Sequence, residues 1–344
     1  MLQIVVCSFQ PFVVVLPALA FAPFGLPSTV FWIYVCALVL AIIGLIKILG
    51  ELRQEHGVDK IMPVGRLFFA IPLAVFGSEH FTLTTNVAAL VPRWIPAATF
   101  WVYLVGVAFL GAALSIAVLV KEWLARLAAA LVGVTLLLFV FVMDLPAAIA
   151  HPGNRFFWAL ALRELAFSGG AFAFAMSPWT TRPRESSPRQ WTAAWAAIPR
   201  FFLGLPSLFY GVEHLLHPEY VPGVPLQKLT PEWIPGRILL SYLVGVILIL
   251  AGCCLVLNKK ARTAATALGL TILLTVLWIY LPILLAAPTD VVALNFFFDT
   301  LLFCGAILLL ANSLDKEPTV ARQPTRDQKQ GATRGSSTQQ ISMN

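Results

Sequence analysis

Two acid–imidazole pairs, Glu79–His80 and Glu213–His214, stand near the ends of long apolar runs. A histidine there can hydrogen-bond a quinone carbonyl or ligate haem iron, and a neighbouring carboxylate can pass a proton. Adjacent residues project about 100° apart around a helix, so each Glu and its His meet different surroundings. Arg163 and Glu164 lie inside a third apolar run, FFWALALRELAFSGGAFAFAM, and Asp299 and Thr300 lie inside a fourth. An arginine within lipid is seldom left unpaired. Arg163 is therefore either half of an internal salt bridge or a contact for a negatively charged oxygen. For the salt bridge the candidate partners are Glu79 and Asp144, with Asp299 tied to His214. For the anion contact the candidates are a sulfur oxyanion and a semiquinone oxygen. The plainer reading of the acid–imidazole pairs is that each ties its helix end to the loop that follows.

No residue is assigned to a metal. Glu213, His214 and His217 form E-H-x-x-H, whereas the zinc protease pattern is H-E-x-x-H. The place that corresponds to His217 in the first half of the chain is Leu83. Cys7, Cys36, Cys253, Cys254 and Cys304 make no CxxC, and thiols in apolar sequence read as buried and unpaired. No P-loop, dinucleotide fingerprint, GxSxG or nucleic-acid module occurs, so electrons passing through this chain would need a bound small carrier or a partner. The sequence names no cofactor; quinone fits the residue pattern first and haem second.

The elements that must position these groups are membrane helices. Of 344 residues, 59% are hydrophobic and 11% charged, against about 25% charged in a soluble domain. Mean hydropathy is +0.86. Apolar runs near 29–50, 66–83, 99–120, 125–146, 156–176, 199–216, 237–257, 264–286 and 292–312 each suit a bilayer of about 30 Å. The run at 4–23 is a Pro-kinked tenth helix or a cleaved signal, although it lacks a basic leader. Most of the basic residues fall on one side of this arrangement, which marks that side, with the C-terminus, as cytoplasmic. Domain boundaries follow: an N-terminal apolar region at 1–60, one unit at 61–176, a Pro/Ser/Arg-rich linker at 177–198, a second unit at 199–312 and a disordered tail at 313–344.

The two units repeat one another. GRLFFAIPLAVFGSEHF, VPRWIP and YLVGV in the first answer to PRFFLGLPSLFYGVEHLL, TPEWIP and SYLVGV in the second. Arg66, Pro72, Gly77, Glu79 and His80 match Arg200, Pro206, Gly211, Glu213 and His214 at an offset of 134. Pro92, Trp94, Pro96 and Gly106 match Pro231, Trp233, Pro235 and Gly245 at 139, so the second copy's first outer loop has five extra residues. Later positions match at 136: Arg126 with Arg262, Gly133 with Gly269, Pro146 with Pro282. Four helices per copy make this a parallel repeat with an expected pseudo-twofold axis along the membrane normal. The predicted fold class is an all-α integral membrane protein of two tandem four-helix bundles, with one or two N-terminal helices outside them.

The GxEH, PxWIP and YLVGV elements, twice in order, resemble the DoxX-like family of four-helix membrane proteins. That family is similar to the small subunit of thiosulfate:quinone oxidoreductase. The resemblance implies the fold, and it implies Glu79, His80, Glu213 and His214 as the family's polar pair. The expected function is a redox-associated subunit that binds quinone or docks an oxidoreductase near the outer face of a bacterial inner membrane. In it, Glu79, His80, Glu213, His214 and Arg163 handle ligand or protons, and Trp94 and Trp233 cap a pocket over His80 and His214. The alternative is a non-enzymatic transport or scaffold protein. Expected partners are the lipid bilayer and a redox protein or a second copy of the chain, with no nucleic acid.

Overall fold

The computed structural model describes residues 26–54, 57–119, 121–177, 193–224 and 227–314. The expected helix at 4–23, most of the linker and nearly all of the tail lie outside the described residues. Among the described residues nine long helices follow in order: α1 (Ser28–Gln54), α2 (Ile61–Thr82), α3 (Ala98–Val118), α4 (Glu122–Ala150), α5 (Arg155–Met176), α6 (Ala193–Leu216), α7 (Arg237–Val256), α8 (Ala261–Ala286) and α9 (Val291–Ser313). Eight of them are long and apolar enough to cross a membrane. The ninth, α6, has 24 residues and contains Pro199, Arg200 and Pro206; at 1.5 Å per residue it reaches about 36 Å. The chain is an all-α, multi-pass membrane protein.

Local geometry recurs between the copies. Both α4 and α8 widen into a π-helical turn, at Val140–Asp144 and Val276–Tyr280, just ahead of Pro146 and Pro282. Proline has no N–H for the carbonyl four residues back. Those carbonyls, of Val142 and Trp278, fall inside the widened turns, where such an irregularity is commonly absorbed. Asn154 and Asp290 cap α5 and α9 by accepting from the amides of Phe156 and Val292 at 3.1 and 2.9 Å. Such side chains satisfy amides that have no partner within the helix. Ahead of α3 and α7 the chain turns through a left-handed residue, Ala97 in one copy and Gly236 in the other.

Contacts recur too. Ser168 Oγ donates to the Gly133 carbonyl at 2.8 Å, and Cys304 Sγ to that of Gly269 at 3.3 Å. Arg126 Nε donates to the Ala175 carbonyl at 2.7 Å, and Arg262 Nη1 to that of Ala311 at 3.2 Å. Within each copy the helices pack in sequence, α2 on α3 on α4 on α5 and α6 on α7 on α8 on α9. Between copies, the first helix of each packs against the last helix of the other, α2 on α9 and α6 on α5, and α5 meets α9. α1 lies against α2 and α3 and leaves Leu38, Ile42, Ile46 and Leu49 exposed. One end of the bundle carries the Pro-Trp loops, and the other carries the Arg66–Glu51 pair at 2.8 Å.

Small residues allow the closest approaches, as is usual between membrane helices. A Cβ on Gly211 would lie 2.6 Å from Ile249 Cγ1 and 2.7 Å from the Gly245 carbonyl oxygen. Gly211→Ala therefore separates α6 from α7 and should lower the melting temperature of the detergent-solubilised protein. Gly111→Ala on α3, where nothing lies within 4 Å, should leave it unchanged or raise it, since helical Ala gains about 0.5–1 kcal/mol over Gly. Equal shifts in the two variants would contradict this account of α6 and α7.

Candidate functional site

A group of charged residues in the bundle interior lies toward the Pro-Trp end. Arg163 on α5 is their centre. Its Nη1 donates to Asp299 Oδ2 and its Nη2 to Glu164 Oε1, both at 2.7 Å. Arg163 and Asp299 each stand eight residues into their helices, which puts them about 12 Å along the axis from that end. Glu79, near the end of α2, is within electrostatic reach of both Arg163 and Asp299. Asp144, in the π-helical turn of α4, is within reach of Arg163 and Glu164. Four carboxylates thus surround one guanidinium. The cluster therefore holds more carboxyl groups than cations.

Several atoms of the cluster have no protein partner. Glu79 is 8% exposed and its Oε1 is buried without a hydrogen bond. Asp144 Oδ2 and Arg163 Nε are likewise buried and unbonded. Buried polar atoms are nearly always paired, so such a group of exceptions asks for a reason. Beneath the cluster α9 is apolar: Leu301–Ala311 are all buried and carry only apolar side chains, a thiol and a glycine.

The histidines face elsewhere. His80 Nδ1 donates to the Phe76 carbonyl at 2.6 Å, and its ring meets Phe109 edge-on at 5.7 Å. His214 is fully buried, and its Nε2 accepts from the Gly223 amide at 2.9 Å. His80 lies against Gly106 of α3, and His214 against Gly245 of α7. The two side chains therefore pack on different helices. Glu213, the neighbour of His214, is paired with Arg155 at 2.9 Å, and that guanidinium also covers the Tyr220 ring at 3.9 Å. Arg155 corresponds to Val291, so the second copy offers no equivalent cation to Glu79.

Trp94 and Trp233 are 72% and 58% exposed, which suits the membrane interface and turns them outward from the cluster. His151 stacks on Phe157, and His217 bonds Glu219 at 3.3 Å. Among the described residues no three of His, Cys, Asp and Glu converge as a metal site. The sequence pointed to Glu79, Asp144 and Arg163 as possible neighbours, but not to the bond between Arg163 and Asp299. Opposite charges at corresponding positions, 136 apart, were the signal for it. Nothing in the sequence pairs Arg155 with Glu213.

Against protein-family models, curated proteins and solved structures the chain has no match.

Removing one partner of a buried ion pair costs about 3–5 kcal/mol because the other charge is stranded. Arg163→Leu leaves Asp299 and Glu164 together without a cation, whereas Asp299→Leu leaves the guanidinium on Glu164. Thermal unfolding in detergent should therefore show the larger loss for Arg163→Leu. The reverse order would mean that Arg163 is not the charge that holds the cluster.

Proposed function

We propose that this chain is a redox-associated membrane subunit that binds a quinone-type head group beside Arg163, near the outer face of a bacterial cytoplasmic membrane. The observation that carries the reading is the set of unpaired buried atoms: one donor, Arg163 Nε, and two acceptors, Glu79 Oε1 and Asp144 Oδ2. A quinone ring presents carbonyl acceptors when oxidised and hydroxyl donors when reduced, so donors and acceptors set side by side suit both forms. When bound, the ring would supply two-electron chemistry. The chain itself contributes carboxylates that hold and move protons, with Arg163 balancing their charge. The electrons would come from a redox protein docked at the same membrane face.

In this reading the histidines are positioning residues. His214 holds the loop at Gly223, and His80 ends α2 beside Glu79. The Pro-Trp end is the outer face because the short loops at the opposite end carry most of the basic residues. The GxEH and PxWIP elements favour a DoxX-like relationship. Contact between corresponding residues 163 and 299 favours a pseudo-twofold axis that passes between α5 and α9. A transport function would call for polar groups along the whole bundle, and the apolar stretch of α9 below Asp299 speaks against it.

The test is binding of decylubiquinone to the full chain in lipid nanodiscs, read by native mass spectrometry and tryptophan quenching. The protein should bind it saturably. Glu79→Gln should weaken binding of the reduced form, decylubiquinol, about tenfold or more, as loss of one buried hydrogen bond accepted from its hydroxyl would, while the melting temperature stays within a few degrees. Absence of saturable binding would sink the quinone reading.

A further inference from the structure

The two copies differ most where the second has its five extra residues. That loop folds back on itself, with Val221 N donating to the Lys228 carbonyl at 3.0 Å and Thr230 N to that of Glu219 at 2.9 Å. It carries Val221–Val224 down into the bundle, where all four are buried. Gly223, at φ +117°, is the lowest point. A Cβ there would lie 3.1 Å from Thr300 Cγ2 and 3.5 Å from Tyr280 Oη, so only glycine has both the backbone angle and the size. Its amide is the one that His214 Nε2 accepts.

Each residue under this loop has a counterpart in the first copy. His214 answers to His80, Tyr280 to Asp144 and Thr300 to Glu164. His214, Tyr280 and Thr300 are each no more than 1% exposed. His80, Asp144 and Glu164 are all partly exposed. The first copy's loop does not descend over them: its short helix, Thr84–Ala88, buries no residue. Among the described residues, the space that the second copy fills with its own backbone is therefore left uncovered in the first. Its polar lining has also changed, from a phenol and an alcohol to two carboxylates.

Resting on the quinone reading above, we infer that the chain has one open half-site, in its first copy, and that this half-site prefers a head group presenting hydrogen-bond donors: the quinol over the quinone. The filled half shows what the fold accepts at this place, an N–H directed at the histidine Nε2. In the first copy His80 uses Nδ1–H on the Phe76 carbonyl, so its Nε2 is likewise an acceptor. Glu79 Oε1 and Asp144 Oδ2 are acceptors still without a donor. Two acceptors without a donor, against the single free donor on Arg163, favour a ligand carrying hydroxyl hydrogens. The quinol carries two; the quinone carries none.

The experiment is anaerobic titration of the full chain in nanodiscs with decylubiquinol and, separately, decylubiquinone, with native mass spectrometry giving the number bound. One equivalent per chain is expected, with the quinol bound about tenfold more tightly, the difference of one hydrogen bond. Asp144→Asn keeps the shape but can turn a donor toward the ligand, and should narrow or reverse that preference. Glu79→Gln should do the same by an independent side chain. Thr300→Val, under the filled half, should change neither affinity. Two equivalents per chain, or a preference that Asp144→Asn and Glu79→Gln both leave intact, would overturn this inference while the quinone reading stands. Failure of both forms to bind would overturn the two together.

Discussion

A guanidinium deep in an apolar bundle has to be neutralised on the spot, and the arrangement of the interior follows from that constraint. Arg163 stands eight residues into α5 and leaves only 21% of its side chain exposed. It is met by Asp299 from the other half of the chain and by Glu164 beside it. These bonds lie where α5 and α9 touch, the contact between the last helices of the two copies. The first helices, α2 and α6, close around it from either side. A cluster of this kind contributes less to net stability than to uniqueness, because alternative registers of α5 on α9 would strand the charge.

The fold was largely legible in the sequence because a bilayer imposes a length and a composition on every span. Helix positions followed from the apolar runs, although several helices begin a turn earlier than hydropathy alone indicates; α2 starts at Ile61, before the charged Arg66. Arg66 did not look like an interior residue, yet it is fully buried and bonded to Glu51 of α1. The π-helical turns were not legible. They answer to Pro146 and Pro282, but a proline is equally compatible with a kink or a helix end.

The site was legible in its residue types and much less so in its geometry. Histidine drew attention because its chemistry is versatile. Both imidazoles instead bond backbone groups, the Phe76 carbonyl and the Gly223 amide, and such partners leave no trace in a sequence. Glu79 and Arg163 stood out through the cost of placing charge in lipid, and that reasoning located the cluster. The five extra residues of the second loop were visible as an offset. Their descent onto Thr300 and Tyr280 depends on a glycine backbone angle and on what lies beneath, neither of which spacing reveals.

Residues 163 and 299 are the same place in the two copies, and they touch. Consider a single four-helix unit that pairs with its own twin in this manner. Whatever residue stood at that place would face itself, Arg against Arg or Asp against Asp, and both choices repel in a medium that screens little. A complementary pair there requires two sequences free to differ while remaining at fixed one-to-one stoichiometry. Covalent fusion supplies both conditions. The tandem chain thus holds a charge pattern that an assembly of identical short subunits could not adopt.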